Sequence, residues 1–204
     1  MNARSVFVLA GFVAVFVGAW IFVLASSQDT QDLQVATMLD TPRAVPEFEL
    51  IDDAGAAFTR DRLLGQWTLL FAGFTHCADV CPNTLAMLDQ VKDRLAQSSP
   101  GDSFQTVFLS VDPERDQPAA LAEYVGYFDP EFVGATGPKA QLDRLCSGLG
   151  LYYAKSPGAS EDSYTMDHTA AIVVIDPQAR TRAYFVVPRN PQAMAADLAK
   201  MMSA

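Results

Sequence analysis

Phe74-Thr75-His76-Cys77-Ala78-Asp79-Val80-Cys81-Pro82 sets two thiols on one short segment, with three residues between them. Thiolate is the form of cysteine that ligates metals and attacks disulfides, and two cysteines this close can share an ion or close into a disulfide. Two intervening residues is the usual redox spacing. The extra residue gives the loop room to splay both sulfurs around an ion, so spacing alone leaves both chemistries open. A helix starting just after Cys81 would favour thiolate nearby, through the free N–H groups and partial positive charge at its end. The inert alternative, a permanent disulfide or two buried thiols, is a costly use of paired cysteines at a strand-to-helix turn.

The chain has only two histidines. His168, in Met166-Asp167-His168-Thr169, stands just before an expected strand and far from Cys81 along the chain, so only the fold could unite them. Two thiolates and an imidazole make a soft three-ligand set of the kind that suits Cu(I), whereas zinc would want a fourth ligand or an open catalytic position. A lone histidine near a strand end is equally at home as a surface or core residue. His76 adjoins Cys77, and neighbours on an extended chain point to opposite faces, so it is read as a local structural residue. Cys146 shares a helical stripe with Leu142, Leu145 and Leu149 and is read as core. In Ser110-Val111-Asp112-Pro113-Glu114-Arg115-Asp116, Asp116 is read as a cap for a helix beginning near Pro118, and the role of Asp112 is open.

The elements that must position these groups follow from periodicity. Glu47 to Ile51 is a short strand followed by the turn Asp52 to Gly55. Trp67 to Phe74 is a continuous apolar run, as expected of a strand buried on both faces, and Phe104 to Val111 is a second buried strand. Pro82 suits a first helical position, and Leu85, Leu88, Val91 and Leu95 follow at helical spacing. Pro118 to Phe128 and Pro138 to Leu149 are further helices. Ala171 to Asp176 with Arg182 to Val187 form a hairpin before a final helix. This alternation predicts an α/β domain, a central mixed sheet flanked by helices, and the cysteine pair at the end of the first long strand matches a thioredoxin-like arrangement.

Ser5 to Ala25 carries no charge and is long enough to cross a bilayer as a helix. It exceeds the apolar region of most cleavable signals, so it is read as one N-terminal transmembrane anchor, although Val23-Leu24-Ala25 does offer small residues for cleavage. Arg4 before the span places residues 1–4 in the cytoplasm and the rest outside. The expected organisation is then an anchor at 5–25, a linker at 26–44 and a domain at 45–204, attached to a bacterial cytoplasmic membrane with the domain in the periplasm. Fourteen basic against 24 acidic residues give a net charge of −10, which disfavours nucleic acid as a partner. Three cysteines are too few for a disulfide scaffold.

Taken in order, Gly73-Phe74-Thr75-His76-Cys77 to Cys81-Pro82, Ser110 to Asp116, Thr136-Gly137-Pro138, Asp167-His168-Thr169 and Ile175-Asp176-Pro177 resemble the SCO/SenC family of copper-binding proteins. The match spans Pro46 to Pro188. The resemblance implies that Cys77, Cys81 and His168 bind copper, as Cu(I) with Cu(II) left open, and that Cys77 and Cys81 are redox-active. It also implies a role in assembling the binuclear copper centre on subunit II of cytochrome c oxidase, by copper delivery from an upstream donor or by reduction of that subunit's cysteines. The first makes the chain a metallochaperone and the second a thiol-disulfide oxidoreductase, so enzymatic activity is an open question. Ala78 departs from the family, which commonly has proline there, and loses that restraint on the loop.

Overall fold

The apolar run from Trp67 becomes strand β4 (Trp67–Gly73) and its counterpart becomes β5 (Phe104–Ser110), paired in parallel over their whole length. On the other side of β4 lies β9 (Ala171–Ile175), antiparallel to it. In the computed structural model, which describes residues 33–98, 104–158, 163–186 and 190–203, these three strands form the centre of the core. Leu70, Phe71, Val107, Phe108, Val173 and Val174 are fully buried there. Near-continuous apolar strands are typical of a sheet covered on both faces.

Around this centre the remaining strands are β1 (Thr37–Ala44), β2 (Glu49–Asp52), β3 (Ala57–Thr59), β6 (Val133–Thr136) and β10 (Arg180–Val186). The sheet has eight strands in the order β1-β10-β9-β4-β5-β6-β2-β3. The β4–β5 and β5–β6 pairs are parallel and the others antiparallel, so the sheet is mixed, as expected. A separate two-stranded sheet pairs β7 (Tyr153–Pro157) with β8 (Tyr164–His168). Among the described residues four α-helices accompany these strands: α1 (Val80–Ser98), α2 (Pro118–Gly126), α3 (Lys139–Gly148) and α4 (Pro191–Met202). The apolar stripe of α1, Leu85, Leu88, Val91 and Leu95, is buried, and α1 packs against α4.

Three departures from the expected boundaries bear on how the domain is built. Helix α1 begins at Val80, so Cys81 lies inside its first turn and not before it. Pro82 still sits among the first residues, where a missing N–H leaves no bond unmade. β10 starts at Arg180, and Asp176 holds the connecting turn by accepting the N–H groups of Gln178 and Arg180, each at 3.0 Å. The third shift concerns the linker, because its second half contains β1, paired antiparallel to β10. β1 is an edge strand with no buried side chain, held by backbone pairing, so its hydropathy carries no strand signal. The compact unit runs Gln34–Ala204. The anchor expected at 5–25 lies outside the described residues, among which no helix is long and apolar enough to cross a membrane.

The entry to this unit is fastened by Asp197 of α4, which is fully buried. Its carboxylate accepts the backbone N–H groups of Gln34, Val35 and Ala36 at 2.8, 2.8 and 2.9 Å. Asp197→Asn puts an amide N–H₂ against those donors, and the expected cost is about 2–3 kcal/mol in urea unfolding. An unchanged midpoint would mean that the entry segment is held by β1 pairing alone.

Candidate metal centre

β4 ends at Gly73, and the chain must turn from the sheet into α1 within a few residues. Cys77 N–H closes this turn by donating to the Phe74 carbonyl at 3.2 Å. Cys81 N–H then donates to Cys77 Sγ at 3.4 Å, so the helix start itself holds the first sulfur. Gly73 is required by proximity: a Cβ there would stand 2.8 Å from Cys81 Sγ and 2.7 Å from the Phe108 ring. Cys81 is fully buried and Cys77 half-buried.

Burial pushes the Cys81 thiol far above its ordinary pKa, reinforced by its hydrogen bond with Cys77. This corrects the expectation that the helix start would favour thiolate at this position. With the helix beginning at Val80, two residues before Pro82, the Cys81 sulfur points into the core, and desolvation outweighs the helix-end charge.

His168 closes β8, and its ring packs edge-on against Phe71 and Phe74, with centroids 5.8 and 6.0 Å away. Nδ1 lies 3.4 Å from the Thr169 carbonyl, which can only accept, so the proton is assigned to Nδ1. That leaves the Nε2 lone pair facing Cys81 Sγ at 3.6 Å. Burial lowers the His168 pKa below its ordinary value, so the ring is neutral at pH 7. A neutral imidazole whose other nitrogen is bonded to a carbonyl is the usual state of a metal-binding histidine.

Residues 87 apart in sequence are thus brought together. One ligand atom from each of Cys77, Cys81 and His168 falls within 4.8 Å of the other two, and among the described residues no other such group of histidine, cysteine and acidic side chains occurs. Two sulfurs and one nitrogen, with no carboxylate among them, fit a soft ion of low coordination number better than calcium, magnesium or a four-ligand structural zinc. His76 stays out of the cluster: its side chain is 58 % exposed, with Nδ1 3.0 Å from Thr75 Oγ1. Cys146 is buried in α3 with Leu142 and Leu145, and burial pushes its thiol up to about 12.

Asp116 is not a helix cap. The residue in that position is Gln117, whose side chain makes no capping bond. Asp116 is fully buried and turns its carboxylate to the cysteine loop, accepting Thr75 N–H at 2.9 Å, Thr75 Oγ1–H at 2.5 Å and Ser110 Oγ–H at 2.6 Å. Asp112, left open from sequence, accepts the Tyr164 hydroxyl at 2.9 Å and pairs with Arg115. The signal for both was the position of Ser110 to Asp116 directly after the strand that neighbours the cysteine-bearing one.

A mixed sheet flanked by helices, with a cysteine pair at a strand-to-helix turn and a histidine brought against it, defines a thioredoxin-like domain with a thiol-imidazole cluster. The chain belongs to the SCO1/SenC family, whose model matches residues 36–203. It is 36 % identical over 155 residues to the mitochondrial SCO1 homologue of Homo sapiens, covering 76 % of this chain and 52 % of that protein, so it spans about half that relative's length. Among solved structures it is similar to Bradyrhizobium japonicum ScoI with copper bound, at 38 % identity and a TM-score of 0.68, covering 77 % of this chain and 98 % of the other. It is also similar to Arabidopsis thaliana ScoI with copper bound, at 30 % identity and a TM-score of 0.74, covering 78 % and 99 %.

Proposed function

We propose that the chain is a copper metallochaperone, holding Cu(I) through Cys77, Cys81 and His168 and delivering it to the binuclear copper centre on subunit II of cytochrome c oxidase. The observation that carries this reading is the mutual approach of the three ligand atoms within 4.8 Å, in a family with copper-bound members. Copper is the cargo here, received from an upstream donor. The net charge of −10 suits a cationic cargo and disfavours nucleic acid. The segment 5–25 would tether the domain to a bacterial cytoplasmic membrane, facing the periplasm.

The asymmetry of the site supports transfer by ligand exchange. Cys77 and His168 are partly exposed while Cys81 is buried, so an incoming ligand can displace the outer two before the inner sulfur lets go. The same asymmetry favours the second reading, a thiol-disulfide oxidoreductase. There the Cys77 thiolate attacks a partner disulfide and releases one partner thiolate. Cys81, once deprotonated, then attacks the mixed disulfide, leaving Cys77–Cys81 oxidised and the partner reduced by two electrons.

His168 separates the two readings. The reduced full chain is expected to bind one Cu(I) under anaerobic competition with a chromophoric chelator, and His168→Ala to bind it far more weakly. Equal weak binding by both, with reduction of a partner disulfide intact, would sink the chaperone reading.

The pH dependence follows from burial. At neutral pH the Cys81 thiol holds its proton, and Cu(I) must displace it to bind the thiolate. The apparent affinity should therefore rise with pH, about tenfold per unit for each proton released. A flat profile between pH 6 and 8 would mean that Cys81 does not bind as thiolate.

A further inference from the structure

β7 and β8 form a two-stranded sheet outside the main one. A two-stranded hairpin alone is marginally stable in water, so an arm that presents a ligand needs support from elsewhere. Alternation along β8 puts Tyr164, Met166 and His168 on one face, and Met166 between them is buried. Tyr164 pairs with Pro157 at one end of the ladder and His168 with Tyr153 at the other. At about 3.3 Å per residue the two are separated by roughly 13 Å.

The His168 end rests on Phe71 and Phe74. The far end is gripped by the segment that follows β5. Tyr164 donates its hydroxyl to Asp112 Oδ1 at 2.9 Å, and Arg115 Nη1 donates to the Tyr164 carbonyl at 3.2 Å. The Arg115 guanidinium lies over the Tyr164 ring, 3.8 Å from its centroid, and is paired through Nε with Asp112. Lys155 of β7 approaches the same ring at 3.8 Å while bonding Glu114 at 2.8 Å. Arg115 also lies 5.8 Å from the centroid of Phe74, the ring that backs the imidazole. Its Nη2 is buried without a hydrogen-bond partner among the described residues, a cost that the two ring contacts offset.

We infer that Asp112, Arg115 and Tyr164 form a clasp that positions His168 against Cys77 and Cys81, setting how well the histidine is presented without touching the metal position. Its effect on affinity rests on the copper reading above; its effect on His168 does not. Tyr164 and Arg115 are positioning residues, and they act at the turn end of the arm, where Tyr164 pairs with Pro157.

The test uses the full chain with Tyr164→Leu and Tyr164→Phe, each also in the His168→Ala background. Tyr164→Leu should weaken Cu(I) binding by about tenfold or more, in the range found for outer-shell partners of metal ligands. Tyr164→Phe keeps the stacked ring, loses only the Asp112 bond, and should fall between. In the His168→Ala background Tyr164→Leu should change the affinity no further. In the metal-free protein, the His168 ring-proton shifts imposed by Phe71 and Phe74 should collapse towards unstructured values in Tyr164→Leu. An equal affinity loss in both backgrounds, or His168 shifts unchanged by Tyr164→Leu, would overturn the clasp. A wild-type chain that binds no Cu(I) would overturn the copper reading, and the metal-free shifts would then judge the clasp alone. Should Tyr164→Leu fail to fold, Tyr164→Phe carries the same comparisons.

Discussion

Cys81→Ser is expected to remove tight Cu(I) binding while leaving the domain folded. Thiol and imidazole sites of four ligands contribute roughly 10–16 kcal/mol of binding, about 3 kcal/mol per ligand, so losing one soft ligand should weaken binding on the order of 100-fold or more. Hydroxyl is a poor substitute, since it stays protonated and is hard where Cu(I) is soft. The buried position makes the experiment clean. Serine nearly matches cysteine in shape, so it fits the space that Gly73 leaves for Cys81 Sγ. A melting temperature within a few degrees of wild type, with chelator competition showing no bound copper at micromolar protein, is the expected pair of results. Stoichiometric copper retained by Cys81→Ser would remove Cys81 from the ligand set.

The parts of the fold legible in the sequence are those whose burial is uniform. β9 is an unbroken apolar run and β4 and β5 are predominantly apolar because most side chains along them are buried, whichever face they take, and α1 shows its stripe at Leu85, Leu88, Val91 and Leu95. Elements held by backbone pairing or by small residues left no such trace. β1 is an edge strand with no buried side chain. β6 is Val-Gly-Ala-Thr, and its glycine is needed for space: a Cβ on Gly134 would lie 2.9 Å from Leu121 Cβ. The β7–β8 arm has a single buried residue, Met166 of β8, too few to reveal a period.

The site divides in the same way. Cys77 and Cys81 declare themselves by spacing, because local chemistry needs local sequence. His168 does not, since its approach to Cys81 depends on the arm folding back onto β4, and only the resemblance in motif order paired them beforehand. The protonation state of Cys81 is hidden for a related reason: a helix boundary moved by two residues, from Pro82 to Val80, turns a sulfur from the helix end into the core. Asp116 is deceptive from sequence because an acidic residue before a helix usually caps it, and nothing local shows that its carboxylate is turned back to Thr75.

Asp116→Ala removes one buried carboxylate and strands Thr75 N–H and the hydroxyls of Thr75 and Ser110, all of which it accepts. Bonds to a charged group are worth about 1.5–3 kcal/mol each, and the lost three should cost about 3–5 kcal/mol in total, because the hydroxyls can partly re-pair. Thr75 lies two residues before Cys77, so the damage should reach the site as well as the fold. Denaturant unfolding should show the stability loss. Copper competition at a temperature where the variant is still folded should show weaker binding. Asp116→Asn keeps the volume and one acceptor oxygen but turns a donor towards groups that also donate, so it should fall between the two. A folded Asp116→Ala chain with wild-type stability would mean that the loop is held by Cys81 N–H and the Phe74 turn alone. Wild-type copper affinity with reduced stability would confine Asp116 to the fold and leave the geometry of Cys77 to the helix start.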